Sequence, residues 1–150
     1  MSHHNQVAEF MRAGNQPVRT TPTIPDSQEA WGRANQLFSE MAEYKEAMKR
    51  CGQAQHIRDE REVRGAIIEL ADALGDMVYV IHGTAHTYGI DLDAVLTEIH
   101  RSNMTKVVGG RVVKDAAGKI QKPEGYEPPD LRTAIFGNPD NQYTGDEDYE

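Results

Sequence analysis

Between Ser27 and Arg50 the apolar residues fall at Ala30, Ala34, Leu37, Met41, Tyr44 and Met48. Steps alternating between three and four draw one stripe down a helix, so this segment is predicted as a long α-helix. Asp26 and Ser27 offer N-caps at its start, and Gly52 with the polar run 53–61 predicts its stop near Arg50. A second long helix is predicted from about Arg61 to Tyr88, where Gly89 suits the left-handed position after a helix end. From Ala66 to Ile81 this segment is apolar on nearly every side, the pattern of the central helix of a bundle. A third helix should run from a cap at Asp91 or Asp93 to about Lys106, with Leu92, Val95, Leu96 and Ile99 turned inward.

The flanks are less regular. Val7 to Met11 is compatible with a short helix, and Gly14 with prolines 17, 22 and 25 predicts an extended connection over 17–25. After the third helix, residues 107–113 and 119–122 flank the turn-like Asp115–Gly118, which predicts a small hairpin there. Residues 123–129 read as a rigid loop, and Asp130 as the cap of a short helix to Phe136. The expected architecture is an all-α helical bundle over 1–136 with a small C-terminal hairpin and loop extension. An acidic, mobile tail is expected over 137–150, because so little there can be buried.

Composition narrows the function. The single cysteine, Cys51, excludes an internal disulfide framework and a cysteine-rich zinc site. A net charge of −8 argues against a nucleic-acid binder, although the five acids among residues 140–150 carry more than half of that excess. No apolar run approaches the roughly 18 residues that span a bilayer, and Met1–Gln6 lacks the layout of a signal peptide. The expected location is the cytoplasm, or the host cytoplasm if a phage encodes the chain, with no membrane or nucleic-acid partner.

The informative chemistry is a set of acids on the two long helices. At 100° per residue, Glu40 and Glu43 lie about 60° apart, at the edge of the apolar stripe, whereas Glu46 should point to solvent. On the second helix Glu69, Asp72 and Asp76 fall within about 60° of one another and interrupt the apolar run. No lysine or arginine occurs between Gly65 and Ile81 to offset them. Carboxylates held in an apolar setting cost several kcal/mol each unless paired with positive charge. A Mg²⁺ ion, which prefers oxygen ligands and keeps positions open for substrate phosphates, supplies that charge. Two helices each presenting a pair of acids is a recurring metal site in bundles. The plainer alternative is that all five acids are solvated helix faces, with Glu43 paired to Lys45 or Arg50.

In Glu40-Met41-Ala42-Glu43, then Glu69-Leu70-Ala71-Asp72-Ala73-Leu74-Gly75-Asp76, the sequence resembles the MazG-like all-α nucleoside triphosphate pyrophosphohydrolases, including phosphoribosyl-ATP pyrophosphohydrolase-like members. The runs from Tyr88 through His100-Arg101-Ser102-Asn103-Met104-Thr105-Lys106 and Gly118 to Asp130 extend the likeness, which spans about Val7 to Ile135. It departs from the family pattern at Ser39, where a further acid often stands, and at Ala73, which leaves Asp72 as the partner of Asp76.

The resemblance implies water attack at the α-phosphorus of a nucleoside triphosphate, giving monophosphate and pyrophosphate. It implies Glu40, Glu43, Asp72 and Asp76 as ligands of Mg²⁺, with Mn²⁺ as a substitute, and Glu69 or Glu43 as the group that positions the water. It further implies Arg101, Asn103, Lys106, Lys122 and Tyr126 as substrate-binding residues, and a homodimer or homotetramer. Substrates in the family include canonical deoxynucleotides, dUTP and phosphoribosyl-ATP, and dGTP or GTP is a further candidate here.

The remaining features read more plainly. Trp31, Phe38 and Tyr79 are expected in the core. His82 and His86 are four apart but lack the intervening glutamate of metalloproteases, so no zinc site is read there. Phe10, Arg12 and residues 17–25 are candidates for a base pocket. The rival functions are a non-enzymatic oligomeric interaction module, and a phosphohydrolase acting on another phosphate ester.

Overall fold

The computed structural model describes residues 1–137; the expectation for the acidic tail falls outside the described residues except at Gly137. The fold is all-α, with five helices and a single two-stranded hairpin among the described residues. The chain forms two compact units, Met1–Ile90 and the part from Asp91 onward.

The first unit holds α1 (His3–Ala13), α2 (Ser27–Ile57) and α3 (Glu60–Thr87). Each begins where a short polar side chain accepts from a backbone N–H of the first turn: Ser2 from Asn5, Asp26 from Glu29, and Asp59 from Arg61. Contrary to the expected stop near Arg50, α2 continues through Gly52 for seven more residues. A mid-helix glycine costs only about 1 kcal/mol, and Ala54 beyond it is buried against the partner helix. The helix ends where Arg58 takes a left-handed conformation, with φ of 58°.

Packing of α2 on α3 differs from the predicted stripe. The buried seam is made of small residues, Ala47 and Ala54 on α2 and Ala66 and Ala73 on α3, while Met41 and Met48 are about half exposed. Trp31, Phe38 and Tyr79, expected in the core, are also exposed. The prediction of a central helix covered all round fails as well. Ile67, Ile68, Leu74 and Val78 of α3 stand 46–69% exposed.

The deepest apolar packing lies under α1, longer than predicted, whose Val7, Ala8 and Met11 are almost fully buried. A histidine trio fixes the start of this helix on α3. The ring of His4 stacks on His86 at 3.7 Å, its Nδ1 lies 3.2 Å from Nδ1 of His82, and His86 Nε2 donates to the His4 carbonyl at 2.8 Å.

The extended connection predicted for 17–25 is present and is stitched to the end of α3. The Arg19 amide donates to the His86 carbonyl and the Thr23 amide to that of Tyr88. Gly89 lies beneath it with φ of +66°, and a Cβ there would come 1.9 Å from the Thr21 carbonyl oxygen. Only glycine fits.

The second unit holds α4 (Leu92–Met104), β1 (Val107–Val108), β2 (Arg111–Val112) and α5 (Leu131–Phe136). Asp91 and Asp130 cap its two helices. Of the residues expected to face inward on α4, Val95 is buried, whereas Leu96 and Ile99 are exposed. The hairpin turns at Gly109–Gly110 and not at Asp115–Gly118. Both glycines have positive φ, which a tight two-residue hairpin turn demands. The Asp115–Gly118 turn is real but supports one isolated bridge, Lys114 with Ile120, and Asp115 Oδ1 accepts from the amides of Ala117 and Lys119.

Candidate functional site

Because the α2–α3 seam is built of alanines, the two helices lie close and the longer side chains beside the seam rim a groove. Its cavity of about 640 Å³ has buried Ala47 and Ala73 at its base, with Glu43, Glu69 and Asp72 around it. Glu40 lies within electrostatic reach of both Glu43 and Asp76. Glu43 thus belongs to both sets, and acids from α2 and α3 share one side of this helix pair.

Glu40 is half-buried. Its carboxyl is pushed above the usual carboxylate range, first by burial, then by the charges of Glu43 and Asp76. A raised native pKa means the folded protein holds this proton to higher pH than the unfolded chain. Stability therefore falls as pH rises through that range. In metal-free protein, Glu40→Gln is expected to raise Tm at pH 7–8. The gain should disappear below about pH 4, where the carboxyl is protonated in both states. Thermal melts of the two proteins across pH check this, and an equal difference at every pH would count against like-charge crowding.

Two expectations need correction here. The acids do not sit in an apolar interior, since Glu43, Glu69, Asp72 and Asp76 are exposed, and the desolvation argument survives for Glu40 alone. The absence of a cation between Gly65 and Ile81 did not leave Glu69 unpaired. Helix α2 delivers Arg50 to Glu69, with Glu62 at 3.8 Å from the same guanidinium. Glu46 is solvated as expected, its side chain 72% exposed although it also rims the groove, and its ion pair with Lys49 at 2.6 Å keeps its carboxyl below the usual range.

The second unit gathers four of the five residues implied for substrate binding. Lys106 Nζ donates to Asn103 Oδ1 at 2.7 Å. The ammonium groups of Lys122 and Lys106 lie 4.6 and 5.5 Å from the centre of the Tyr126 ring. Two cations on one aromatic ring form a positive patch with a tyrosine at its centre.

Arg101, the fifth, is turned elsewhere. It donates through Nε and Nη2 to both oxygens of Glu98, through Nη1 to Glu127, and through Nη2 to the Pro128 carbonyl. Glu98 and Glu127 raise the already high pKa of Arg101, and Arg101 in turn, with the Asp130 amide, holds the Glu98 carboxyl below the usual range. Arg101 here fastens the loop before α5 to α4, a role its place in the motif did not reveal.

Sequence reasoning missed a second polar cavity, in the first unit, formed around Arg33. Its guanidinium donates to Thr87 Oγ1 at 2.8 Å, to Gln36 Oε1 at 3.1 Å and to Gln16 Oε1 at 2.9 Å. Burial lowers its pKa, and nearby Glu29, itself bound by Arg19, partly offsets this. Nothing in the hydrophobic pattern marks these residues. Of the expected base-pocket residues, Pro17 lines this cavity, while Phe10 packs edge-on against Tyr79.

Among the described residues, no three His, Cys, Asp or Glu side chains are placed to hold one metal ion together. The donor chemistry still fits a hard divalent cation. All four predicted ligands are carboxylates, the charges that shift Glu40 are both negative, and the cations lining the groove, Lys49 and Arg50, are engaged by Glu46 and Glu69. The family model for phosphoribosyl-ATP pyrophosphohydrolase matches residues 7–103, which include Glu40, Glu43, Glu69, Asp72 and Asp76. No curated protein matches the chain.

Proposed function

The chain belongs to the phosphoribosyl-ATP pyrophosphohydrolase family of MazG-like all-α nucleotide pyrophosphohydrolases, and from that premise we propose that it cleaves a (deoxy)nucleoside triphosphate to monophosphate and pyrophosphate with Mg²⁺ held in the α2–α3 groove. The observation that carries the proposal is the crowding of Glu40 by Glu43 and Asp76, negative charge from two helices concentrated at one place.

Glu40, Glu43, Asp72 and Asp76 would hold the ion. Bound there, Mg²⁺, or Mn²⁺ in its place, supplies positive charge to the phosphate oxygens. A water oxygen attacks the α-phosphorus, the bond from that phosphorus to the bridging oxygen breaks, and pyrophosphate leaves with the electron pair. Glu43 accepts the proton the water gives up, and Glu69, steadied by Arg50, orients that water. In the other unit Asn103, Lys106, Lys122 and Tyr126 form the phosphate-binding patch, with Arg101 supporting the loop beside it.

Among the described residues no helix is long and apolar enough to cross a membrane. A nucleotide substrate goes with residence in the cytoplasm, which is part of the proposal. So is a homodimer or homotetramer, supported by the exposed apolar side chains of α2 and α3.

The test is a screen of the common NTPs and dNTPs plus dUTP, with Mg²⁺ or Mn²⁺, following monophosphate and pyrophosphate separately. Metal-dependent release of both in equal amounts is expected. Orthophosphate as the sole phosphate product would exclude cleavage at the α-phosphorus.

A further inference from the structure

The cavity at Arg33 has its donors and acceptors set by geometry. A guanidinium has no acceptor, so the Oε1 atoms of Gln16 and Gln36 both face it, and both amide NH₂ groups are left as donors directed away from it. Gln16, Gln36 and Glu29 all line a cavity of about 230 Å³, where Gly32 contributes no side chain. The Glu29 carboxylate accepts only. Arg19 engages it chiefly at Oε2, at 2.7 Å, with a longer contact of 3.5 Å to Oε1, which leaves accepting capacity.

Amide donors beside a carboxylate acceptor complement a carbonyl next to an N–H. Guanine carries that pair on its O6/N1–H edge, and uracil and thymine carry it at O4/N3–H. Adenine and cytosine present the reverse, an amino donor next to a ring-nitrogen acceptor. The cavity falls short of the roughly 300–1,000 Å³ of sites that take whole drug-sized ligands, so it suits a base. Arg33 stands seven residues before Glu40 on α2, about 10 Å along the axis, and Gln36 one turn before it. The sugar and α-phosphate of a nucleotide can bridge such a distance.

We propose that the cavity around Arg33 is the nucleobase subsite, and that Gln16, Gln36 and Glu29 select bases with a lactam edge, guanine, uracil or thymine, over adenine and cytosine. This rests on the reading of the chain as a nucleotide pyrophosphohydrolase, and two separate readouts keep the two apart.

The first readout is calorimetric binding of dGMP and dUMP against dAMP and dCMP, which needs no turnover. Wild-type protein should favour the first pair by at least about tenfold, as expected for a site whose polar groups go unpaired with the wrong base. Gln36→Glu and Gln16→Glu keep the acceptor that faces Arg33 but replace an amide donor by a carboxylate oxygen. Each should erase or reverse the preference while Tm shows the fold intact. The second readout is pyrophosphate release from the matching triphosphates. Equal binding of all four monophosphates, or a preference that survives both substitutions, overturns the subsite. So does an equal loss for every base, which would make the glutamines merely structural. Selective binding without pyrophosphate release from any nucleotide would uphold the subsite and overturn the hydrolase reading.

Discussion

Asp76→Asn should lower kcat for nucleotide cleavage by about 10²–10³-fold, the scale on which loss of one electrostatic partner of a developing charge is felt. The substitution keeps the side chain's shape and removes one negative charge from the neighbourhood of Glu40, where burial first, and then Glu43 and Asp76, raise the carboxyl's pKa. Two results should accompany the loss. The metal concentration for half-maximal activity should rise, because fewer charges hold the ion. The metal-free protein should be no less stable than wild type, because Asp76 is exposed and the charges it meets at Glu40 repel it. Activity assays across Mg²⁺ concentrations and thermal melts with and without the ion measure these three effects. Unchanged kcat together with unchanged metal dependence would remove Asp76 from the site, and with it the link between α2 and α3 on which the proposed chemistry depends.

The second large effect concerns assembly. Around the axis of α3, Glu69, Asp72 and Asp76 occupy one face, and buried Ala66 and Ala73 the next. Ile67, Leu74, Val78 and Ile81 fall within about 60° of one another on a third face. These four are 57, 46, 49 and 38% exposed, a continuous apolar stripe along a helix predicted from its sequence to be covered. Full burial of such a side chain is worth about 1.5–3 kcal/mol, so covering the stripe is a large gain. The expected occupant is a second copy of the chain. Sedimentation should then show a dimer or tetramer whose Tm rises with protein concentration. Leu74→Asp or Val78→Asp should give a monomer with a markedly lower Tm. A wild-type protein that sediments as a monomer at every concentration would sink this expectation, leaving the stripe without a partner.

What the sequence revealed follows from how local each signal is. Helix starts were legible because Asp26, Asp91 and Asp130 act on amides three residues away. The pairs Glu40/Glu43 and Asp72/Asp76 were legible because helix geometry alone puts each pair on one face. Their environment was not. Whether Asp72 is buried depends on what lies across from it, and periodicity in one helix cannot say that its neighbour contributes alanines and an arginine. The end of α2 was misjudged because the seam at Ala54 outweighs the local cost of Gly52. Arg50 reaches Glu69 across 19 residues, and Arg33 reaches Thr87 across 54. Such long-range pairs leave no spacing to read. The partners of Arg101 were not legible either, since its place in a motif says nothing about Glu98 and Glu127, to which it is tied.

The close approach at Gly89 also sets where this fold tolerates changes in chain length. Two backbone hydrogen bonds, from Arg19 and Thr23, fix the register of that strap against the last turn of α3, and the glycine fills the space between. An insertion within 19–23 would slide the strap and bring a different carbonyl, or a side chain, onto a position with no room for it. Variation in loop length is confined to the stretch between the end of α1 and Arg19, or to the few residues just before the Asp26 cap. Relatives with longer crossovers should carry their extra residues there, and the strap itself should keep its length.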